Sequence, residues 1–469
     1  MSERPNVVWI VLDTARADAF EPYGAPAGAS PAVADLARRG HAETDVRATA
    51  SWTLPSHVSM FAGALPRAMG LADLAGINAF SARPIIEAHR ERWIPELLRR
   101  SGYRTAGASA NAWVTALSGF ATGFDDFADV GSGRQGKLAP ETRAGKARWL
   151  WEAARARVDD GAGAAEREMQ RWAGELDGRP FFWFVNLVEC HSPYLPPKPY
   201  TELTVGERIV TAREASEYLT QGAFWQACVT GEVPPEEALN RMRAGYRGAI
   251  RYMDAWIERL LGRLDDAGLL DDTLVIVTSD HGENFGEGAL LGHGFSLDER
   301  LINIPFVAAG PGAAELRGIR SLAEIPGRLA TITGLTGHPY VAGDLPPLPV
   351  AQFDPPAPPR GDPRTEQVIV EWQLDDDGIA RLVTSFLAAV DGDLKLVATG
   401  DREQFYDLRA DPLEAAPLTA EDVDPGARDR LRAALAHPSV TASRAMLGET
   451  APDADTADLE ERMRLLGYL

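Results

Sequence analysis

The stretch NVVWIVLD, residues 6–13, sets the fold: a run of apolar and mostly β-branched side chains that ends in an aspartate. Further apolar runs occur at 181–188, 274–278 and 305–309, and long amphipathic segments separate them. Short apolar runs between helical patterns are typical of buried parallel strands. The sequence therefore predicts an α/β protein with a mostly parallel central sheet, whose first strand spans residues 7–12.

Helical patterns fill much of the sequence between these runs. From about residue 244 to 264, apolar side chains recur at steps of three and four residues, as on one face of a buried helix. The segment 136–179 is rich in Ala, Arg and Glu and is predicted to be helical as well. Both patterns favour helices packed against the sheet.

The C-terminal third has a different composition. A proline-rich stretch at 346–365 predicts a stiff linker, because each proline fixes its own φ. Strand-like pieces at 368–372, 380–390 and 394–398 follow it. We therefore predict three parts: a catalytic domain over 1–345, the linker over 346–365, and a small antiparallel-sheet domain with a helical tail over 366–469.

Bulk composition excludes several function classes. Of the 469 residues, 45% are apolar and 25% charged, which is ordinary for a soluble globular protein, and the formal net charge is −21. A strongly negative chain disfavours nucleic acid and anionic membranes as partners, since both require a positive surface. Two cysteines give no disulfide framework, and neither a secretion signal nor a membrane-spanning run is evident. These features predict a cytoplasmic protein.

Three of the predicted strands end in acids. Asp13 follows the first, Glu189 the run at 181–188, and Asp280 the run at 274–278. In open α/β sheets the ligand crevice lies at the carboxyl ends of the strands, so these acids are expected at one rim. A single acid in such a position more often caps the next helix, so the interpretation depends on what accompanies it.

Histidines accompany these acids. His281 follows Asp280 directly in SDHGENFGE, His191 lies two residues after Glu189 in ECHSPY, and His293 occurs in LGHGF. Carboxylate oxygens together with imidazole suit a divalent cation such as Mg²⁺, Mn²⁺, Ca²⁺ or Zn²⁺. The sequence thus predicts a metal centre at the rim.

The stretch SWTLPSH, residues 51–57, raises a separate question about Thr53. A hydroxyl residue shortly before a proline is an ordinary helix start, where the hydroxyl accepts a free backbone N–H. The stretch alone favours such a cap. A threonine hydroxyl beside a cation would instead be a nucleophile, and the remaining motifs bear on that choice.

Seven motifs in a fixed order resemble those of sulfatases of the alkaline phosphatase superfamily. They cover most of residues 5–415 and are NVVWIVLDTARAD, SPAVADLARRG, SWTLPSHVSMFAG, FFWFVNLVECHSPY, TLVIVTSDHGENFGE, LGHGFSLDE and LKLVATGDREQFYDLRADP. The resemblance implies an alkaline phosphatase-like sandwich, with a mostly parallel mixed β-sheet between helices and a smaller C-terminal antiparallel sheet. It also implies a metal-centred ester hydrolase site.

By motif position, the resemblance assigns roles to individual residues. Asp13, Asp280 and His281 match metal ligands, and Thr53 takes the place of the nucleophile, which is also a ligand. Two further positions match residues that bind substrate or protonate the leaving group; they are His191 and His293. One divalent metal ion is therefore expected.

The sequence departs from typical sulfatases at the nucleophile. Those proteins carry Cys-x-Pro-Ser-Arg, whose cysteine becomes formylglycine, whereas residues 53–57 here read TLPSH. Threonine has no sulfur to oxidise, so formylglycine is excluded at this site. Thr14 stands where a second aspartate is usual, and His281 where asparagine is common. These changes resemble members that use an unmodified threonine, such as phosphodiesterases, phosphonate hydrolases and lipoteichoic acid synthases.

Several alternatives stay open at this stage. Glu189 could form a second metal site with His191 and His293, although the family pattern favours one metal. His57 could orient Thr53 or be exposed on the first helical turn, and Thr14 could lie just behind the metal ligands.

Taken together, the residues predict a metal-dependent hydrolase that acts on a small-molecule phosphodiester, phosphonate or related phosphate ester. Thr53 would attack the ester, and water would then hydrolyse the covalent intermediate with His191 or His293 as acid or base. Alternatives are a sulfuric ester hydrolase, a phosphoryl-group transferase and a non-catalytic binder. The physiological substrate depends on segments without a readable motif, 65–135 and 195–240.

Overall fold

A computed structural model describes residues 4–71, 82–131, 143–157, 159–341, 343–355 and 360–442. Most of the predicted helical tail lies beyond residue 442 and therefore outside the described residues. The helices of the described part include none that is both long and apolar enough to cross a bilayer.

The strands, in chain order, are β1 Asn6–Leu12, β2 His41–Glu43, β3 Arg104–Ser109, β4 Asp126–Asp129, β5 Phe181–Leu187, β6 Thr273–Thr278, β7 Asn284–Phe285, β8 Leu291–Gly292, β9 Phe306–Ala309, β10 Val350–Phe353, β11 Phe386–Asp391, β12 Leu394–Thr399 and β13 Arg402–Asp407. The α-helices are α1 Pro31–Arg39, α2 Thr53–Ala62, α3 Arg83–Ala88, α4 Ile94–Arg100, α5 Arg143–Arg155, α6 Ala162–Gly174, α7 Val205–Tyr218, α8 Gln221–Thr230, α9 Glu236–Asp266, α10 Glu299–Ile302, α11 Ile325–Ile332, α12 Pro363–Glu371, α13 Asp376–Val383, α14 Pro425–Leu435 and α15 Pro438–Thr441.

The central sheet has seven strands in the order β2-β9-β6-β1-β5-β3-β4. The strand β1 is central and pairs in parallel with β5 on one edge and with β6 on the other. Strand β9 runs antiparallel to both of its neighbours, so the sheet is mixed but mostly parallel. This arrangement confirms the predicted fold class.

Strand β1 is buried on both faces, which explains why its sequence is apolar throughout rather than alternating. Val8, Ile10 and Leu12 belong to the core on one side of the sheet, where α9 packs. The intervening side chains of Val7, Trp9 and Val11 belong to the core on the other side, where α2 packs. Helices therefore cover both faces of the sheet around this strand.

The C-terminal sheet is antiparallel, in the order β10-β11-β12-β13, as predicted. Its first strand, β10, falls inside the stretch predicted to be a linker, and its four residues are all buried. The predicted strand at 368–372 is wrong, because Val368, Ile369 and Trp372 have helical spacing and pack on one side of α12. The predicted strand at 380–390 divides into the end of α13 and β11.

A buried charge cluster joins the two sheets. Lys395 on β12 is fully buried, and its Nζ lies 3.2 Å from Glu299 Oε1 and 3.0 Å from Glu414. The same amine donates to the carbonyl oxygen of Leu297 at 2.5 Å. Arg47 also pairs with Glu299, at 2.8 Å. The cluster thereby fixes the segment that precedes α10 against the small sheet.

Candidate active site

The acidic residues of the site come from the two strands at the centre of the main sheet. Asp13 directly follows β1, and Asp280 and His281 come just after β6. Because β1 and β6 are parallel neighbours, their carboxyl ends lie at the same edge of the sheet. All three side chains are fully buried.

These three side chains converge on one point. Ligand atoms of Asp13, Asp280 and His281 all lie within 4.8 Å of one another. His281 Nε2 is 3.3 Å from Asp280 Oδ2 and 3.9 Å from Asp13 Oδ1. His281 Nδ1 donates a hydrogen bond to the carbonyl oxygen of Gly282 at 3.0 Å, and the lone pair of Nε2 therefore faces the carboxylates.

The chemistry of these atoms fits a divalent cation. Asp13 Oδ1 and Asp280 Oδ2 are buried and have no hydrogen-bond partner in the described structure. Burial and the Asp280 charge raise the pKa of Asp13 well above its usual value, and burial raises the pKa of Asp280 to about 7. Burial lowers the pKa of His281 well below its usual value, so the ring is neutral. A cation would compensate the desolvation of both carboxylates.

Thr53 lies at this cluster as the first residue of α2. Its hydroxyl donates to His281 Nε2 across 3.3 Å. The residue before it, Trp52, is the N-cap of the helix, and no side chain caps that end. The Thr53 hydroxyl is thus directed at the cluster and does not cap its helix.

Asn111 is a site residue that sequence reasoning missed. Its Nδ2 donates to Asp13 Oδ2 and, over 3.4 Å, to Thr53 Oγ1, while its Oδ1 accepts from the Trp113 backbone N–H at 2.6 Å. The residue follows β3, whose sequence RTAGAS consists of small and polar side chains. A strand without large apolar residues has a weak sequence signal, and its carboxyl end was therefore not recognised.

Thr14 contributes its backbone to the site. Its φ of 58° is left-handed, which is strained for a β-branched residue. This conformation lets its N–H donate to Asp280 Oδ1 at 3.3 Å, and the Thr14 hydroxyl donates to the Asp13 carbonyl at 2.7 Å. Thr14 therefore lies behind the ligand atoms and links the two aspartates.

His57 is fully buried, so the alternative of an exposed position is wrong. Its Nδ1 donates to the Thr53 carbonyl at 3.0 Å and lies 3.5 Å from Asp280 Oδ2. The ring packs edge-on against Phe120 and Phe184. Burial lowers the pKa of His57 to about 4, so this imidazole is neutral at pH 7.

Two further histidines lie beside the cluster. The ring centroid of His293 is 4.7 Å from that of His281 and 5.1 Å from that of His191. His293 Nδ1 donates to Glu283 Oε1 at 2.9 Å, and the other oxygen of Glu283 accepts from the Tyr194 hydroxyl at 2.8 Å. Glu283 is a second residue that the sequence interpretation missed, although it belongs to the SDHGE motif.

The two histidines have opposite electrostatic surroundings. Burial opposes a charge on His293, but Glu283 raises its pKa above the ordinary value. Burial, together with the His293 charge, lowers the pKa of His191 to about 4. His293 therefore has the greater tendency to carry a proton, whereas His191 is neutral at pH 7.

Glu189 lies outside the group formed by Asp13, Asp280 and His281. Its Oε1 accepts from the Ala162 N–H at 2.7 Å, at the start of α6. Burial and the charge of Asp160 raise the pKa of Glu189 to about 8. Within the described ranges, one group of three side chains has its ligand atoms close enough together to hold a metal ion, and that group is Asp13, Asp280 and His281. The predicted second metal site of Glu189, His191 and His293 does not form such a group.

Comparison with known proteins places this site in context. The family model described as Sulfatase matches residues 5–336. The chain is similar to choline-sulfatase of Rhizobium meliloti (strain 1021), with 26% identity over 455 residues, 88% of this chain and 82% of that protein. It is 30% identical over 154 residues to the multifunctional alkaline phosphatase superfamily protein PehA of Trinickia caryophylli, a match that spans 29% of this chain and 30% of PehA.

Among solved structures, the phosphonate monoester hydrolase of Agrobacterium radiobacter has a similar fold. The TM-score is 0.60 at 21% sequence identity, and the match covers 96% of this chain and 99% of that chain. At this level of identity the likeness concerns the fold alone.

Proposed function

The chain belongs to the sulfatase family of the alkaline phosphatase superfamily and is a hydrolase of phosphoric or sulfuric esters; within that class, we propose that it cleaves a phosphodiester, a phosphonate monoester or a related phosphate ester through a covalent Thr53 intermediate. The observation that carries this proposal is the position of the Thr53 hydroxyl, which lies 3.3 Å from His281 Nε2 at a helix N-terminus that no side chain caps. A hydroxyl that only capped α2 would not be directed there.

The proposal assigns one divalent cation to Asp13, Asp280, His281 and Thr53. When bound, such a cation lowers the pKa of a hydroxyl and neutralises negative charge that develops on the ester oxygens. Side chains of the protein align the nucleophile with the carboxylates. Asn111 holds both Asp13 Oδ2 and Thr53 Oγ1, so the nucleophile and the carboxylate keep a fixed separation.

The reaction has two displacements at phosphorus. In the first, Thr53 Oγ1 loses its proton to solvent and bonds to phosphorus, the bond to the leaving oxygen breaks, and His293 gives that oxygen a proton. In the second, His191 accepts a proton from water as the water oxygen bonds to phosphorus and the Thr53 Oγ1 bond breaks. His191 then passes its proton to Thr53 Oγ1, and solvent returns to His293 the proton that Thr53 released in the first displacement, so all three side chains regain their starting states.

Charge in the site favours a singly charged ester. The side-chain charges that act most strongly on Asp13 are those of Asp280, His293 and Glu283. With Asp13 itself, three carboxylates face one histidine cation, and a divalent cation would bring the sum of these charges to about zero. A phosphodiester or phosphonate monoester carries one negative charge, whereas a phosphomonoester carries two at neutral pH. The diester and the phosphonate are therefore the better electrostatic match.

A test of the nucleophile compares Thr53→Ser with Thr53→Ala. Serine keeps the hydroxyl and should retain measurable turnover, whereas alanine should lose several orders of magnitude in kcat, as removal of a covalent nucleophile does. Mass spectrometry of the acid-quenched enzyme during turnover should show a phosphorylated or phosphonylated peptide that contains residue 53. Normal turnover by Thr53→Ala would make Thr53 a structural residue.

A second test compares esters that share one aryl leaving group. We expect kcat/KM to be highest for the phosphodiester or phosphonate, lower for the phosphomonoester, and lowest for the sulfate. Threonine has no second hydroxyl that could expel sulfate, so a Thr53 sulfate ester should accumulate as a stoichiometric burst that then stalls. Sustained sulfate turnover at or above the rate for phosphorus esters would contradict this preference.

A further inference from the structure

Helix α8 lies against the loop that carries His293. Cys228 Sγ donates to the Leu291 carbonyl at 2.9 Å, and the half-buried Phe224 lies one helical turn earlier. A Cβ atom added at Gly292 would lie 3.1 Å from the Phe224 ring, and one added at Gly294 would lie 3.4 Å from it. The ring therefore sits on the backbone at both sides of His293, where glycine leaves room for it.

The Phe224 ring also packs against the imidazole of His293. Their centroids are 5.8 Å apart, with an angle of 34° between the planes. His281 packs against the same imidazole at 4.7 Å and 35°. The hydrogen bond from Nδ1 to Glu283 fixes one atom of the ring and leaves rotation about the side-chain bonds to be limited by packing.

We infer that Phe224 is a positioning residue, which holds the His293 imidazole in the orientation that reaches the leaving oxygen of the ester. The inference rests on the proposed role of His293 as proton donor. Without the ring, the imidazole can turn away, and a 1 Å displacement of a catalytic group is enough to slow the reaction substantially. The segment that contains Phe224 carried no recognisable motif in the sequence.

The test uses phosphodiesters or phosphonate monoesters that differ only in the leaving phenol, from 4-nitrophenol to phenol. A good leaving group needs little protonation, whereas phenol depends on the acid. We expect Phe224→Ala to lower kcat by about tenfold or more for the phenol ester and by less than about threefold for the 4-nitrophenol ester. Phe224→Leu keeps apolar volume without the flat ring. It should also lower kcat more for the phenol ester than for the 4-nitrophenol ester.

Trp225→Ala is the matched control. Trp225 is the next residue on α8 and packs against Phe295 at 5.5 Å instead of against His293. It should change thermal stability without changing the dependence on the leaving group. If Phe224→Ala and Phe224→Leu behave like Trp225→Ala while His293→Ala is sensitive to the leaving group, the positioning role is wrong and the proposed function stands. If His293→Ala itself shows no such sensitivity, the assignment of His293 as the acid fails first.

Discussion

At the scale of single residues, the site is defined by two carboxylates that the described residues compensate only in part. Asp13 and Asp280 are buried side by side, and one oxygen of each has no hydrogen-bond donor in the described structure. Buried charges of this kind are stable in proteins when they are paired or coordinate a metal. Thr14 and Asn111 complete the arrangement by binding the outer oxygens, which leaves the inner ones for a cation.

We predict that Asp280→Ala removes bound metal and activity together while far-UV circular dichroism stays unchanged. The reason is that the remaining ligands, Asp13, His281 and the Thr53 hydroxyl, include a single carboxylate and are too few to retain the cation through gel filtration. Elemental analysis of the purified variant measures the outcome. Asp254→Asn is the control, because Asp254 is a carboxylate that accepts from the backbone of α1, away from the cluster, and it should keep full metal occupancy. Undiminished metal in Asp280→Ala would refute the ligand assignment.

The sequence is informative about some site residues and silent about others. Asp13, Asp280 and His281 follow recognisable apolar runs, so their meeting at one rim could be predicted. The role of Asn111 could not be predicted, because the strand before it consists of small and polar residues. The position of Phe224 could not be predicted either, because it depends on the tertiary contact between α8 and the loop that carries His293. A residue that acts through packing leaves no motif of its own.

At the scale of secondary-structure elements, Glu189 connects β5 to α6. Its Oε1 accepts the backbone N–H of Ala162, the first residue of α6, and its pKa rises from 4.5 to about 8 because it is buried. The folded protein therefore keeps the Glu189 proton up to about pH 8, whereas the unfolded chain loses it near pH 4.5. Between these values the folded state binds more protons, so this group makes stability fall as pH rises.

Glu189→Gln should abolish the decrease in stability that Glu189 causes as the pH rises. The amide can still accept from Ala162, and it has no proton to lose, so we expect the variant to equal the parent near pH 5 and to exceed it by about 4 kcal/mol at pH 8.5. Urea unfolding of both proteins at the two pH values, at fixed metal concentration, measures the difference. A variant that is less stable than the parent at pH 8.5 would show that Glu189 is charged in the folded protein.

Elements differ in how well they can be predicted, and the reason is packing. Strand β1 is enclosed on both faces, so every position is apolar and the pattern is unambiguous. Strand β10 lies among prolines, and its burial comes from pairing with β11, so composition alone indicated a linker. Helix α12 has a short apolar stretch whose period is hard to separate from that of a strand.

At the scale of the whole molecule, Lys395 and its buried ion pairs join the central sheet to the small C-terminal sheet. Lys395→Met would leave Glu299 and Glu414 buried with less compensation, and breaking a buried ion pair in this way typically costs about 3–5 kcal/mol. We expect a loss of this size in the free energy of unfolding, measured with urea. Arg430→Met is the control: Arg430 pairs with Asp391 at 2.7 Å on the same sheet but is 59% exposed, so its loss should be below about 1 kcal/mol. Equal losses would mean that the buried cluster is not a major link.

The central place of β1 has a consequence for synthesis. Among the described strands it is the first to be synthesised, yet its two partners are β5, which begins at Phe181, and β6, which begins at Thr273. A nascent chain that has just completed β5 can cover one edge of NVVWIVL, while the other edge stays open until Thr278 has emerged. Open edges of apolar strands pair readily with other chains. Incomplete chains are therefore the form of this protein most prone to aggregate, and the form for which a chaperone matters most.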